Sequence, residues 1–126
     1  MSKLNILPKE SSDKSTKKEI AAEIGGIKKR YLIGRNACAV TFRLTAAHVP
    51  DAKTVALVGD FNGWNSNAHL MRKMQNGDYA KCLRLEAGRE YQFRYIVDGM
   101  LWKNDANADK YVKSPYADDE NSVVVV

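Results

Sequence analysis

Two tryptophans in this chain stand beside turns and outside any regular core alternation. Trp64 follows Asp60-Phe61-Asn62-Gly63, which has Asn-Gly turn chemistry, and Trp102 comes three residues after Asp98-Gly99. An indole beside polar turn residues is a flat apolar platform with hydrogen-bonding groups at its edge. A sugar ring needs such a surface, because its axial C–H face is apolar and its hydroxyls are polar. The bland alternative is that each indole closes one end of a hydrophobic core as a lid.

Other chemistry finds less support. Asp60, Asp98 and Asp105 lie near the two tryptophans, and a pair of carboxylates is what glycoside hydrolysis requires. A catalytic (β/α)-barrel, one scaffold for that chemistry, takes roughly 250 residues. A chain of 126 residues cannot hold one beside its own domain, so no catalytic residue is assigned. Asp105-Ala106-Asn107-Ala108-Asp109 opens with calcium-loop spacing. Lys110 then stands where the sharp turn needs Gly, and Tyr116 where a bidentate Glu belongs. Two Cys and two scattered His make too small a ligand set for a Cys-based metal site. His48 and His69 have no triad partners nearby, and no Gly-rich phosphate loop is present. No metal and no cofactor are expected.

The elements that must position the tryptophans read as strands. Cys38, Val40, Phe42 and Leu44 alternate with polar or small residues, as do Tyr91, Phe93, Tyr95 and Val97. The second series leaves Gln92, Arg94 and Ile96 on the opposite face. Lys53 to Gly59 predicts a buried strand, His69 to Met74 a short one, Tyr79 to Leu85 another, and Leu101 to Lys103 a further short one. Asn76-Gly77 and Asp98-Gly99 are hairpin signals, the first expected to take positive φ at both central positions. A loop is expected from Asn104 to Asn121, followed by a Val-rich final strand. Short strands separated by turns, with no helix between them, predict an antiparallel sandwich over residues 36–126. Residues 1–35 read as a basic, largely disordered tail. Thr16-Lys17-Lys18-Glu19 resembles a capping box, and Ile20, Ile24 and Ile27 predict a short amphipathic helix near 17–27.

The series Val58-Gly59-Asp60-Phe61-Asn62-Gly63-Trp64-Asn65, then Gly88-Arg89-Glu90-Tyr91-Gln92-Phe93-Arg94-Tyr95-Ile96-Val97-Asp98-Gly99, then Trp102 and Asn121, resembles the family-48 carbohydrate-binding module. This is the isoamylase N-terminal, early-set immunoglobulin-like domain. It is also similar to the glycogen-binding domain of the AMP-activated protein kinase beta subunit. The resemblance runs from about Ala37 to Val126. It implies an all-β, immunoglobulin-like sandwich that binds α-glucans such as glycogen or starch without catalysis. It further implies that Trp64 and Trp102 stack on the glucan, that Arg94 contacts hydroxyls and that Asn121 supplies an amide contact. From the residues alone, Arg94 is equally an ordinary exposed arginine, and Asn121 a turn residue bonding its own backbone. The sequence departs from the kinase-type pattern where an apolar residue and a threonine precede the asparagine. Ala117 and Asp119 stand near those positions, in the acidic run Asp118-Asp119-Glu120.

Charge and composition bound the partners. The formal net charge is +5. Residues 1–35 hold nine basic and four acidic residues, and residues 36–126 hold eleven of each, so the whole excess falls in the expected tail. A domain that bound phosphate backbones would carry that excess itself, which argues against nucleic acid. No apolar run reaches membrane-spanning length, and Met1 to Glu10 lacks an apolar leader core, so the cytoplasm is the expected compartment. Cys38 and Cys82 suit a reducing compartment as small apolar side chains. The expected partner is an α-glucan polysaccharide. The competing reading is a protein-interaction or regulatory module, meeting a glycogen-metabolising protein through the sandwich and the basic tail.

Overall fold

A computed structural model describes residues 26–115 and 119–126. The expected helix near 17–27 therefore lies almost wholly outside the described residues. Nine strands run in chain order: β1 (Lys28–Tyr31), β2 (Ala37–Leu44), β3 (Val55–Gly59), β4 (Arg72–Lys73), β5 (Tyr79–Glu86), β6 (Glu90–Val97), β7 (Leu101–Lys103), β8 (Lys110–Lys113) and β9 (Glu120–Val125). They form two antiparallel sheets. One has the order β3-β6-β9-β8, with β7 also paired to β6, and the other has the order β1-β2-β5-β4. Among the described residues the remaining regular elements are two 3-10 turns, Ala46–His48 and Asp60–Asn62.

The alternations seen in the sequence become the core. Cys38, Val40, Phe42 and Leu44 of β2 and Tyr91, Phe93, Tyr95 and Val97 of β6 are buried in one cluster between the sheets. Phe42 meets Phe93 edge-on at 5.0 Å between ring centroids, and Phe93 meets Tyr95 at 5.7 Å. Fully burying one such ring contributes about 1.5–3 kcal/mol. The buried phenols find acceptors: Tyr79 Oη donates to the Ala52 carbonyl, Tyr91 Oη to Glu86, and Tyr95 Oη to Asp105 Oδ2 at 2.6 Å. Burial, together with the Asp105 carboxylate beside it, pushes the Tyr95 hydroxyl well above its ordinary value of 10.0.

Three differences from the sequence reading matter for function. The sandwich starts before residue 36, because Lys28–Tyr31 pairs with Cys38–Thr41 as an edge strand. Lys28, Lys29 and Arg30 thus belong to the folded sheet. Residues 1–25, with five basic and four acidic side chains, keep little of the charge excess. Most of the positive excess thus lies in or beside the folded domain and does not speak against a polyanionic partner. Second, the expected loop from Asn104 contains strand β8, which pairs with β9. Its Lys-Tyr-Val-Lys composition, mostly exposed, carries no apolar alternation to announce it. Third, the Asn76-Gly77 turn uses positive φ only at Gly77 (91°). The Gly77 N–H donates to Met74 O, and Met74 N–H to Asp78 O, so one extra residue enters the turn as a bulge. At Asp98-Gly99 both residues do take positive φ, 53° and 72°.

Asp78 holds that turn to the neighbouring segment. Its Oδ2 accepts from Arg43 Nε (3.0 Å) and Nη2 (2.7 Å), and its Oδ1 accepts the Ala46 amide at 2.8 Å. Burial pushes this carboxyl up, but the Ala46 amide, Arg43 and Asn76 outweigh it and hold the group below its ordinary value of 3.8. The unfolded chain therefore binds the proton first, and the stabilisation is present above 3.8 and lost as pH falls through the lower native value. Acid titration of stability is expected to be flatter for Asp78→Asn than for the wild type below about pH 4, with the two curves parallel near neutrality. Equal slopes in the acid range, measured by urea unfolding, would remove Asp78 from the acid response.

Candidate functional site

The outer face of the larger sheet carries Gln92, Arg94 and Ile96, as the strand period requires. Strand β9 accompanies β6 only along its first half, with Val125 opposite Glu90 and Ser122 opposite Phe93. Strand β7 takes over along the second half, with Lys103 opposite Tyr95 and Trp102 opposite Ile96. This handover sets Trp102 and Asn121 on the same side of β6. On the other side, β3 runs straight into the turn Asp60–Asn62, which delivers Trp64.

Trp64 is held in an unusual backbone conformation. Its φ is 60°, directly after Gly63 at 65°. A bulky residue in the left-handed region costs roughly 1–3 kcal/mol and persists only when its surroundings overdetermine it. Three contacts do so here. The Trp64 amide donates to Gly59 O at 2.9 Å, its indole Nε1 donates to Asp60 Oδ1 at 3.0 Å, and the ring packs on Ala56, Val58 and Ile96. The indole is partly buried on the outer sheet face and takes no part in the inter-sheet core. Trp102 is 48 % exposed, with the Arg94 guanidinium carbon 5.9 Å from its ring centroid.

All four residues expected from the sequence line one groove of about 640 Å³, together with Asp60, Gln92, Ser114 and Pro115. Hydrogen bonds run from the Trp64 indole as far as Arg94, whose guanidinium lies over the Trp102 ring. Asp60 receives Trp64 Nε1 on one oxygen and the Gln92 amide on the other. The Gln92 side chain accepts from Asn121 Nδ2 at 3.0 Å, and Asn121 Oδ1 accepts from Arg94 Nε at 2.6 Å. Arg94 Nη1 reaches Asp119 Oδ2 at 3.2 Å and completes the path under Trp102. Arg94 is only 9 % exposed, so it forms the groove bed and does not project as a free surface arginine. Asn121 is likewise buried, with its amide spent on Gln92 and Arg94 rather than on its own turn. Ala117 lies outside the described residues, whereas Asp119 occupies one nitrogen of the groove arginine.

Gln92 and Asp60 are the members that sequence reasoning did not assign. The signal for Gln92 was its place two residues before Arg94 on one strand face. In the sequence Asp60 reads only as a carboxylate for hydrolysis. Of the three acids considered for that role, Asp60 alone lines the groove. Asp105 is buried against Tyr95, and burial raises its carboxyl above the usual value. Asp98 caps the Lys53 and Thr54 amides, with Thr54 the larger influence, and these hold it below the usual value. Removing the shared acceptor by Asp60→Ala is expected to cost about 1 kcal/mol of stability and to weaken binding in the groove severalfold by releasing Trp64. Unchanged affinity in a folded Asp60→Ala protein, by co-sedimentation with glycogen, would show that Asp60 does not orient the platform.

The fold is a carbohydrate-binding β-sandwich, with two indoles lining one groove and amide and guanidinium groups between them. The chain belongs to the family described as the glycogen recognition site of AMP-activated protein kinase, whose model matches residues 43–125. Related stretches occur in much longer proteins. A 1,4-alpha-glucan branching enzyme, GlgB 2, of Xanthomonas campestris pv. campestris (strain 8004) is 42% identical over 58 residues, covering 44% of this chain and 8% of that enzyme. The chloroplastic protein FLOURY ENDOSPERM 6 of Oryza sativa subsp. japonica is 43% identical over 54 residues, covering 43% of this chain and 10% of that protein. The branching enzyme GlgB of Corynebacterium jeikeium (strain K411) is 34% identical over 77 residues, covering 51% of this chain and 11% of the enzyme. The chain thus corresponds to about a tenth of the length of these relatives, and the matching part is a non-catalytic binding module.

Proposed function

We propose that the groove between Trp64 and Trp102 binds a run of α-1,4-linked glucose units, in glycogen, starch or maltooligosaccharides, and that the chain performs no reaction on them. The single observation that carries this reading is the groove floor between the indoles, hydrogen-bonded from Trp64 through Asp60, Gln92 and Asn121 to Arg94, with the Arg94 guanidinium over the Trp102 ring. Glucose C–H faces stack on the exposed Trp102 indole and the partly buried Trp64 indole. The edges of the Gln92 and Asn121 amides and the Arg94 guanidinium serve the hydroxyls. Because these groups already hold one another in place, little side-chain entropy is lost on binding. The groove is open and shallow, so the dissociation constant is expected on the order of 10 µM to 1 mM.

Titration with maltoheptaose, followed through the two indole N–H signals in NMR spectra, tests the reading. Shifts at both indoles are expected. Absence of any shift at millimolar sugar would reject it. The Trp64 signal starts from a hydrogen bond to Asp60 and the Trp102 signal has no such described bond, so the two report separately.

A further inference from the structure

The second sheet turns a different chemistry outward. By register, Lys28 lies opposite Thr41 and Thr41 opposite Cys82, while Arg30 lies opposite Ala39 and Ala39 opposite Arg84. Arg43 lies opposite Ala80, and Ala80 opposite Arg72. These residues share the face away from the core, since their strand neighbours Val40, Phe42 and Leu85 are buried between the sheets. The middle strand therefore presents a floor of small side chains, with cations on both flanks. Arg30 and Arg84 stem from strands two spacings apart, roughly 10 Å. At one end the floor opens into a concavity of about 760 Å³ lined by Thr41, Arg72, Lys73, Lys81 and Cys82 among others. Within the strands of this sheet the only outward carboxylate is Glu86, at the far end, where it pairs with Arg89. Arg43 is engaged by Asp78, whereas Lys28, Arg30, Arg72 and Arg84 are exposed and make no ion pair among the described residues.

We infer that this trough, on the sheet opposite the glucan groove, docks an extended acidic segment of a partner protein. Charge complementarity sets the sign of the partner. Side-chain type favours carboxylates, because three of the four unengaged cations are arginines, whose planar forks pair with them bidentately. Shape sets the width: a floor about 10 Å across between cationic walls admits one extended strand or loop, not a duplex. The outward positions Lys28, Arg30, Ala39, Thr41, Cys82 and Arg84 include no aromatic ring on which a base could stack, which sets single-stranded nucleic acid behind a peptide. Docking here would leave the groove of Trp64 and Trp102 free, so one module could hold glucan and protein together.

The full chain can be tested with a fluorescent peptide of alternating glutamate and serine, a glutamine counterpart and single-stranded oligothymidylate, read by anisotropy. The acidic peptide is expected to bind, to weaken as salt is raised, and to weaken at least about tenfold in Arg30→Gln/Arg84→Gln. Glycogen co-sedimentation should remain unchanged in that variant, which also reports its folding. A bulky maleimide on the exposed Cys82 of the wild type should block the peptide in the same way, since Cys38 is buried. Equal binding of the acidic and glutamine peptides would overturn the inference, as would binding insensitive to both the variant and the adduct. Tighter binding of oligothymidylate with the same sensitivities would assign the face to nucleic acid and overturn it too. A wild-type dimer abolished by the double variant would assign the face to a second copy instead. Failure of the wild type to bind glycogen while it still binds the acidic peptide would count against the glucan reading and leave this one standing.

Discussion

Trp102→Ala is expected to weaken glycogen binding about thirtyfold, on the order of 2 kcal/mol, while the melting temperature moves by no more than a few degrees. Both halves of this result come from one position. The indole is 48 % exposed, on a three-residue strand at the sheet edge, and stands outside the inter-sheet core. Its removal takes away the proposed stacking platform and uncovers the Arg94 guanidinium, but opens no cavity. Trp64→Ala should behave differently. That indole covers Ala56, Val58 and Ile96, so its loss should reduce stability and binding together. Co-sedimentation and thermal melts of both variants separate the two cases. If Trp102→Ala retained wild-type affinity, the groove would lose its main platform and the proposed mode of binding with it.

The largest effect on stability is expected at a residue with no side chain. A Cβ on Gly59 would stand 2.5 Å from Gln92 O, 2.8 Å from Phe93 Cβ and 2.9 Å from Phe61 Cζ. The first contact is with backbone in the central strand, so no rotamer change relieves it. Gly59→Ala is therefore expected to cost about 3 kcal/mol or more, at the upper end for overpacking. The damage should reach the site as well. Gly59 O accepts the Trp64 amide, and the Gly59 amide donates to Asn62 Oδ1, so displacing this residue loosens the turn that holds Trp64. Chemical denaturation measures the stability change. Glycogen binding under conditions where the variant is still folded should fall too. A loss of less than about 1 kcal/mol would mean that β3 and β6 can slide apart despite the close approach of Gly59 to Gln92 O.

How far these features could be read from the residues depends on the range of the interactions behind them. Strand alternation is a local property, so Val40-Phe42-Leu44 and Phe93-Tyr95-Val97 declared their buried face without any knowledge of their partners. Turn chemistry is local too, and both hairpins fell where Asn-Gly and Asp-Gly stand. Strand β8 stayed hidden because an exposed edge strand has no apolar period. Strand β1 stayed hidden because Lys-Lys-Arg-Tyr reads as a charged tail until β2 pairs with it. Arg94 was legible as an outer-face residue. That it lies buried beneath a groove follows from Asn121 and Asp119, which are remote in the chain.

The order of the residues by itself determined the sandwich, its inner faces, the places of the turns and the two tryptophans beside them, because each rests on contacts or periods spanning a few positions. Only the tertiary structure decided how those tryptophans are joined and where the positive charge resides. Arg94 meets Asn121 across 27 positions, and Gln92 meets Asn121 across 29. The basic trough exists only through the pairing of β1, β2 and β5. The physical reason is common to both: strand register is a long-range choice, and it determines which outward side chains become neighbours.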